Sequence, residues 1–536
     1  MRVAWGSSGG GVGLAGSVGG FLQPDTAIAA VRMAVVREHE NLTREECSDA
    51  GRVRNRRVGL LPDGKIRNKC VMPGEFDLQA NKKAFQINMD TRIYGAFAEI
   101  GAGQEVARRF FSVGGAAGTV AKTISAYDMA FSDAIYGAAG RYVSRDRLGS
   151  MLAHEYDLLI ERLDAKVGGD RTFFAFADTV AARSFRRHDE SHGWMGIRFQ
   201  SAPRTQPSEI ILHVRMLDAH NLQQQEALGI VGLNLIYGAF HLARDPEALI
   251  GELLDDLAPG RIEIDMIRFS GPDFVEVDNR IMALQLVAKG LTKAALFRAD
   301  GEVVIAADAL YKKPLLVERG SFRPVTLVTN DMLDCARTMF LREESVRNDE
   351  PEVLMEITMK NLLSSGELDL RDFLDRVDML GTIGRTVLIS NYGEYYRLVN
   401  YLTRYTDHMI GLPLGVPAMV EIFDEQYYAD LEGGILEGLG RLFKKGVKLY
   451  VYPFLNHSGE LVTADNFRVA PNIARLYTHL LENGFIEAME GYHPDYLSIK
   501  APQVLGRIRA GDPSWERMVS PAVAGIIKER RLFGHP

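Results

Sequence analysis

Leu315-Leu316-Val317-Glu318-Arg319-Gly320-Ser321-Phe322-Arg323-Pro324-Val325-Thr326 is the stretch from which the fold is read. The apolar run 315–317 predicts a buried strand and Gly320 ends it. Beyond the polar Thr329-Asn330-Asp331 the spacing predicts a helix over 332–341. A strand, a glycine turn and a helix make half of a βαβ unit. Moving outward, strands are expected over 173–180, 196–199, 210–216, 262–269, 294–297, 353–357, 387–390, 409–412 and 449–452. Helical patterns lie over 222–240, 246–257, 277–290, 370–380, 395–403 and 434–445. From about residue 260 onward this alternation reads as βαβ units. The expectation is an α/β chain of two lobes meeting at a cleft. An N-terminal α/β lobe covers 72–300, and the C-terminal lobe, 301–536, has a mostly parallel sheet flanked by helices.

Length agrees with two lobes, since 536 residues exceed the roughly 250–300 that one core usually organises. Hydrophobic content of 46% and charged content of 25% are those of an ordinary globular protein. The longest apolar run, Leu228 to Phe240, contains Asn234 and Tyr237 and falls short of the about 20 residues that span a bilayer, so it predicts a buried helix and no membrane partner. Three cysteines, two of them Cys47 and Cys70, cannot form a disulfide framework, which suits a reducing cytoplasm.

Residues 1–71 differ in kind. They open on a Gly/Ser tract, close on Arg52, Arg54, Arg56 and Arg57, and lack the apolar stretch of a secretory signal. They read as a disordered extension, or as sequence upstream of a start at Met72, with a basic tail for an acidic partner as the rival. They carry 11 Lys and Arg against 7 Asp and Glu, so of the total charge of −8 the remainder holds −12. A body that acidic argues against a nucleic-acid partner.

The most specific signal for chemistry is the Gly320 turn. At a strand-to-helix junction glycine lets the backbone approach a phosphate, while Ser and Thr hydroxyls and helix N–H groups bind its oxygens. Arg323 would supply the countercharge. Gly320, Ser321, Phe322, Pro324 and Thr326 fit the pattern Gly-Ser/Thr-Phe-x-Pro-x-Thr/His-x-x-His. In this the turn resembles the first nucleotide-binding motif of the nicotinamide and nicotinic acid mononucleotide adenylyltransferases. The motif's second histidine, which contacts ATP phosphates in that family, falls on Thr329. The family's later Ile-Ser-x-Thr-x-x-Arg segment is not found, and the resemblance covers about 25 residues. It implies nucleotidyl transfer to a mononucleotide, with ATP and Mg²⁺ as cofactors. The whole chain is also similar to a family of bacterial proteins that bear that adenylyltransferase name or the name TonB-dependent receptor. The receptor name fails physically, because an outer-membrane barrel needs many amphipathic strands of about 10 residues and an export signal.

Two other segments compete. Gly101 to Gly103 and Gly114 to Gly118 form a second Gly-rich region, with Lys122 and Thr123 expected on the next turn. Lys122 lies four residues past Gly118, which breaks Walker A spacing, and no convincing strand precedes Gly101. A phosphate-binding loop using Lys122 and a tight helix crossing both remain open. Phe97 to Gly103 also echoes Tyr428 to Gly434, as two helix starts would. The segment 183–194 gathers Arg183, Arg186, Arg187, His188, Asp189, Glu190 and His192. Its readings are a substrate-facing loop in which His188 or Glu190 moves protons, a metal site on His188 and His192, or a solvated hairpin. Asp265 inside an apolar strand needs a partner. Ser270, Asp273, Ser390, Asn391 and Glu394 occupy strand ends where ligands gather in parallel sheets. Tyr392, Tyr395, Tyr396, Tyr401 and Tyr405 have the spacing of a packing face.

The functional expectation is an enzyme that binds a nucleotide or phosphorylated small molecule, nucleotidyltransferase-like, with His188, Glu190, His192 and Arg323 as candidate catalytic residues. The alternatives are a non-catalytic homo-oligomeric ligand-binding or scaffold protein, and a metal-dependent hydrolase built on His188 and His192.

Overall fold

Six strands form the first sheet: β1 (Ile93–Gly101), β2 (Val120–Ile124), β3 (Thr172–Ala181), β4 (His192–Phe199), β5 (Ser208–Met216) and β6 (Ile262–Ser270), in the order β2-β1-β3-β4-β5-β6. A computed structural model describes residues 79–101, 103–182, 191–347, 349–364, 366–444, 446–456 and 458–536. The reading given to residues 1–71 lies outside them. β2, β1 and β3 are parallel, and β3 to β6 are antiparallel.

Contrary to the expectation from sequence, a strand leads into Gly101. β1 lies between two parallel partners, and most of its side chains are buried on either side, so it lacks the apolar–polar alternation of a half-exposed strand. The echo with Tyr428 to Gly434 therefore joins a strand end to a 3₁₀ turn (Glu425–Tyr428) before a helix (Gly434–Leu442), not two helix starts. The apolar run is helix Asn221–His241, whose side chains are buried almost all round. It packs against helices Gln79–Met89, Val106–Ser112 and Pro246–Glu252. Among the described residues no helix is long and apolar enough to cross a membrane.

The second sheet contains β7 (Ala294–Phe297), β8 (Val303–Val304), β9 (Leu315–Arg319), β10 (Glu352–Thr358), β11 (Thr386–Ser390), β12 (Ile410–Gly415) and β13 (Val447–Tyr452). A small hairpin, β14 (Phe454–Leu455) with β15 (Leu461–Val462), precedes its last strand, β16 (Ile486–Ala488). The order is β16-β13-β12-β9-β10-β11-β7-β8. β7 pairs antiparallel with both β11 and β8, and the other six strands pair in parallel.

Numbered by their own sequence, the six parallel strands stand in the order 3-2-1-4-5-6, the doubly wound arrangement. Each crossover carries a helix, among them Leu327–Phe340, Leu370–Thr382, Tyr395–Leu402 and Ala474–Glu482. The protein is α/β. One apolar cluster runs from Ala98 and Trp194 of the first sheet through Phe297 and Leu316 of the second to Phe533, so the two sheets share a continuous core.

Candidate functional site

In a doubly wound sheet the chain leaves the first strand in one direction and the fourth in the other, which opens a crevice at their carboxyl ends. Here those strands are β9 and β12. β9 pairs with β10 through all five of its residues, and β12 pairs with β13 through all six of its own. β9 and β12 pair only at Leu315/Ile410 and Leu316/Gly411. The reason is local. Ile410 N–H points to β13, where it donates to Gly446, so by alternation the next N–H owed to β9 after Gly411 belongs to residue 413. That residue is Pro413, which has none. At the paired end of the two strands a Cβ on Gly411 would stand 2.9 Å from both Leu316 and Phe340. Only glycine lets helix Leu327–Phe340 press against β12 at this point.

The Gly320 turn leaves the end of β9 beside this crevice. Gly320 N–H donates to the Glu356 carbonyl at 3.0 Å, and its own carbonyl accepts from Asn361 Nδ2 at 3.3 Å. A Cβ on Gly320 would stand 2.8 Å from the ring of Phe322, which is buried and held at φ +46°. The Arg323–Pro324 peptide is cis. Ser321 is exposed and its carbonyl accepts from Arg376 at 3.1 Å. Among the described residues the N–H groups of Ser321 and Phe322 and the Ser321 hydroxyl have no partner. Arg323 lies 2.5 Å from Asp372, and Arg376 bonds to the same carboxylate. Two guanidinium groups thus share one buried carboxylate beside the turn.

Thr326 is not free for a ligand in this state. It caps helix Leu327–Phe340, accepting from Thr329 N–H, while the Thr329 hydroxyl accepts from Thr326 N–H. The helix therefore begins five residues earlier than the spacing of its apolar residues predicts, and Thr329, standing where the motif has histidine, closes a capping box. Pro324 does not start the helix.

Beneath the turn, Arg319 organises the carboxyl edge of the sheet. It bonds to both Glu356 oxygens at 2.6 and 2.9 Å, donates to the carbonyls of Tyr392 and Gly393, and lies 4.3 Å above the Tyr395 ring. Ser390 Oγ donates to Glu356 at 2.5 Å. Burial opposes the charge on Arg319, and Glu356 more than offsets it, so the guanidinium sits above its ordinary value. Neighbouring Glu318 is fully buried with Oε2 unpartnered among the described residues. Burial holds its carboxyl well above the ordinary range, with Arg385 opposing.

The other sequence candidates lie elsewhere. Lys122 stands in β2 of the first sheet, not on a helix, and is ion-paired with the buried Glu155, which also accepts from Tyr136. The helix after Gly101 and Gly103, Val106–Ser112, has its first N–H groups taken by Glu99, whose carboxylate accepts from Val106 at 2.8 Å and Ala107 at 3.1 Å. A carboxyl group already belonging to the protein occupies the place a phosphate would take. Asp273 accepts from Ser208, Asn391 N–H donates to Lys293, and Glu394 precedes helix Tyr395–Leu402 without capping it. The tyrosines pack as expected: Tyr395, Tyr396, Tyr401 and Tyr405 are buried, and Tyr392 stacks on Tyr401.

His188 and Glu190 lie outside the described residues. His192 is the first residue of β4, so it offers no helical face to share with His188. Its ring meets His213 instead, and among the described residues no three His, Cys, Asp or Glu side chains are grouped to hold a metal ion. His213 and its partner Asp265, 2.5 Å away, were not paired by the sequence reading. The available signal was the charge of Asp265 inside an apolar strand.

No family model matches this chain, and no curated protein matches it. Among solved structures, it is similar to the competence/damage inducible protein CihA from Agrobacterium tumefaciens, at 17% identity over 29% of this chain and 93% of that one, with a TM-score of 0.22. A competence-damaged protein (CinA) superfamily protein from Enterobacter cloacae matches at 13% identity, 34% and 99% coverage and a TM-score of 0.23. Its Escherichia coli counterpart matches at 14%, 34% and 96%, with a TM-score of 0.20. At these TM-scores the likeness carries no argument about activity.

Proposed function

We propose that this chain binds a nucleotide or another phosphorylated small molecule in the crevice between β9 and β12, with the Gly320 turn against its phosphates. The observation that carries the reading is the coincidence of two features. The glycine turn follows the first strand of a 3-2-1-4-5-6 sheet, and the pairing of β9 with β12 stops after Leu316, so the two strands part along the last three residues of β9. The unpartnered N–H groups of Ser321 and Phe322, the Ser321 hydroxyl and the nearby guanidinium groups of Arg323 and Arg376 supply what an anion needs.

Nucleotidyl transfer to a mononucleotide is the most concrete catalytic form of this reading. In it the turn positions the phosphates and neutralises their charge. The carboxylates near the turn do not suit a resident Mg²⁺, since Asp372 is held by two arginines and Glu356 by Arg319 and Ser390. The test is thermal stabilisation of the full chain by ATP, a pyridine mononucleotide and adenosine. A ligand at 100 times its dissociation constant stabilises by about 2.7 kcal/mol. Stabilisation by the phosphorylated compounds and none by adenosine is expected, and silence from all three contradicts the reading.

A second reading, a homo-oligomeric scaffold, is favoured by one patch. Tyr127, Met129 and Phe131, 77%, 59% and 59% exposed, follow edge strand β2 in the chain. Light scattering decides it: a monomer at micromolar concentration contradicts this alternative.

A further inference from the structure

Helix Arg145–Val167 opens onto a cavity of about 860 Å³. Arg145 and Asp146 line it from the head of that helix, Trp194 and Met266 from the first sheet, and Arg298 and Val303 from the β7–β8 hairpin. A volume of this size lies within the range of small-molecule sites. No residue of the Gly320 turn lines it. The walls are tied to one another. Arg147 bonds to Ser132 and to the Gly137 carbonyl and pairs with Asp133 at 3.1 Å, which holds the preceding loop to the helix. Arg141 pairs with Asp308 at 2.7 Å and Arg145 with Glu302 at 3.2 Å, which joins that loop and the helix head to the hairpin and the short helix Ala306–Ala309 after it.

Donors of three kinds at this cavity lack a partner among the described residues. In the first turn of the helix Ser144 Oγ accepts from Arg147 N–H at 3.2 Å, which leaves the N–H groups of Arg145 and Asp146 free. The dipole of a helix of 23 residues favours an anion there. Trp194 supplies an independent reason. It is 5% exposed, its ring lies 4.8 Å from that of His213, and its indole N–H, which can only donate, has no acceptor. A buried indole N–H usually finds one. The cavity is the open volume that this side chain borders, so a ligand oxygen there would satisfy it. The third donor is the Arg298 guanidinium, exposed and unpaired. Arg298 N–H donates to the Glu302 carbonyl at 2.9 Å, and the Glu302 side chain holds Arg145, so the hairpin brings position 298 beside the helix head.

Carboxylates line the same space. Glu302 and Asp308 are engaged by Arg145 and Arg141 in exposed pairs of little strength, so an incoming anion can share those guanidinium groups at small cost. Asp146 is exposed and has no side-chain partner among the described residues, and its charge opposes an anion at the helix head.

We propose that this cavity binds a small phosphate monoester with a flat apolar body. The phosphate lies between the free N–H groups of Arg145 and Asp146 and the Arg298 guanidinium, an oxygen of the ligand accepts from the Trp194 indole, and the body rests against Met266 and Val303. A phosphate monoester carries more than one negative charge at neutral pH, so it gains more from the helix head and the guanidinium than a carboxylate does. The inference stands apart from the function proposed for the Gly320 turn.

Indole ¹H–¹⁵N NMR of the full chain, labelled at tryptophan, tests it with phenyl phosphate as the probe. The chain has three tryptophans, and the Trp194 signal is identified by its contacts with the His213 ring. Phenyl phosphate should shift that signal saturably, and phenol, the same ring without the charge, should not. Arg298 is exposed and unpaired, so Arg298→Ala should fold, and it should weaken binding by about tenfold. Asp146→Asn should tighten binding. Ser321→Asp should leave the titration unchanged, which separates this site from the Gly320 turn. A Trp194 signal that phenyl phosphate leaves unmoved, or that phenol shifts equally, overturns the proposal, and neither measurement depends on a variant that folds. Wild-type affinity in either charge variant, or a response that Ser321→Asp abolishes, overturns it as well.

Discussion

Arg319 and Glu356 stand opposite each other on adjacent parallel strands, joined by two hydrogen bonds, and each is the reason the other can be buried. Glu356 is fully buried, and Arg319 also reaches the Tyr392 and Gly393 carbonyls, so the pair ties the end of β11 to the ends of β9 and β10. Breaking such a pair leaves an uncompensated charge, whereas replacing both partners by apolar residues does not. Arg319→Met alone should cost about 3–5 kcal/mol in urea unfolding, and Arg319→Met with Glu356→Leu should cost clearly less. A single variant within about 1 kcal/mol of the wild type would show that the pair holds nothing in place.

Stability should also fall as pH rises from mildly acidic to neutral. Burial pushes the Glu99 carboxyl up to about 7, although Val106 and Ala107 N–H groups oppose the shift, and burial together with Glu99 raises Asp178 in the same direction. A carboxyl whose folded value lies above its unfolded one binds its proton more tightly when folded. Its contribution is therefore fully present below about 4.5 and lost as pH rises through about 7. Glu99→Gln should flatten that loss, by an amount on the order of 1–3 kcal/mol between the two limits. Parallel pH profiles for the two proteins would contradict the assignment.

The capping box at the head of helix Leu327–Phe340 gives a prediction with two readouts. Thr326→Ala removes the acceptor of Thr329 N–H and should cost about 1 kcal/mol. Thr329→His restores the residue found in the adenylyltransferase motif. If the turn receives phosphates, calorimetry should detect tighter ATP binding by about tenfold in this variant, despite the lost reciprocal bond. Unchanged affinity would mean that position 329 faces no phosphate.

Gly411→Ala tests the packing of helix Leu327–Phe340 against the paired start of β12. The new methyl would lie 2.9 Å from Leu316 and Phe340, and overpacking of this kind costs about 1–3 kcal/mol. Thermal unfolding indistinguishable from the wild type would show that helix Leu327–Phe340 can retreat from β12 without cost.

Much of the second sheet was legible because its strands are short apolar runs punctuated by Gly, Pro and Asn, as at Leu315–Arg319 and Thr386–Ser390. Their order was not legible. It depends on which strands pair across distances of tens of residues, as when β12 returns to the far side of β9, and no local pattern encodes that. β1 escaped because both of its faces are buried, and Thr326 because a cap is polar and lies ahead of the apolar periodicity that marks a helix. The Gly320 turn was visible as a motif, but its neighbours Asp372, Arg376 and Asn361 were not, since each comes from a later crossover. His213 and Asp265 lie 52 residues apart and meet only through the register of β5 with β6.

Calorimetric titration of the full chain with ATP, beside the same titration of Ser321→Asp, bears most directly on the nucleotide reading. Ser321 is exposed, so the variant should fold, and its carboxylate would stand where a phosphate is expected. Saturable binding by the wild type, weakened by about tenfold or more in the variant, is the outcome expected if the crevice between β9 and β12 receives phosphates. Equal binding by both proteins would place the nucleotide elsewhere, and no binding by the wild type would reduce the Gly320 turn to a structural corner.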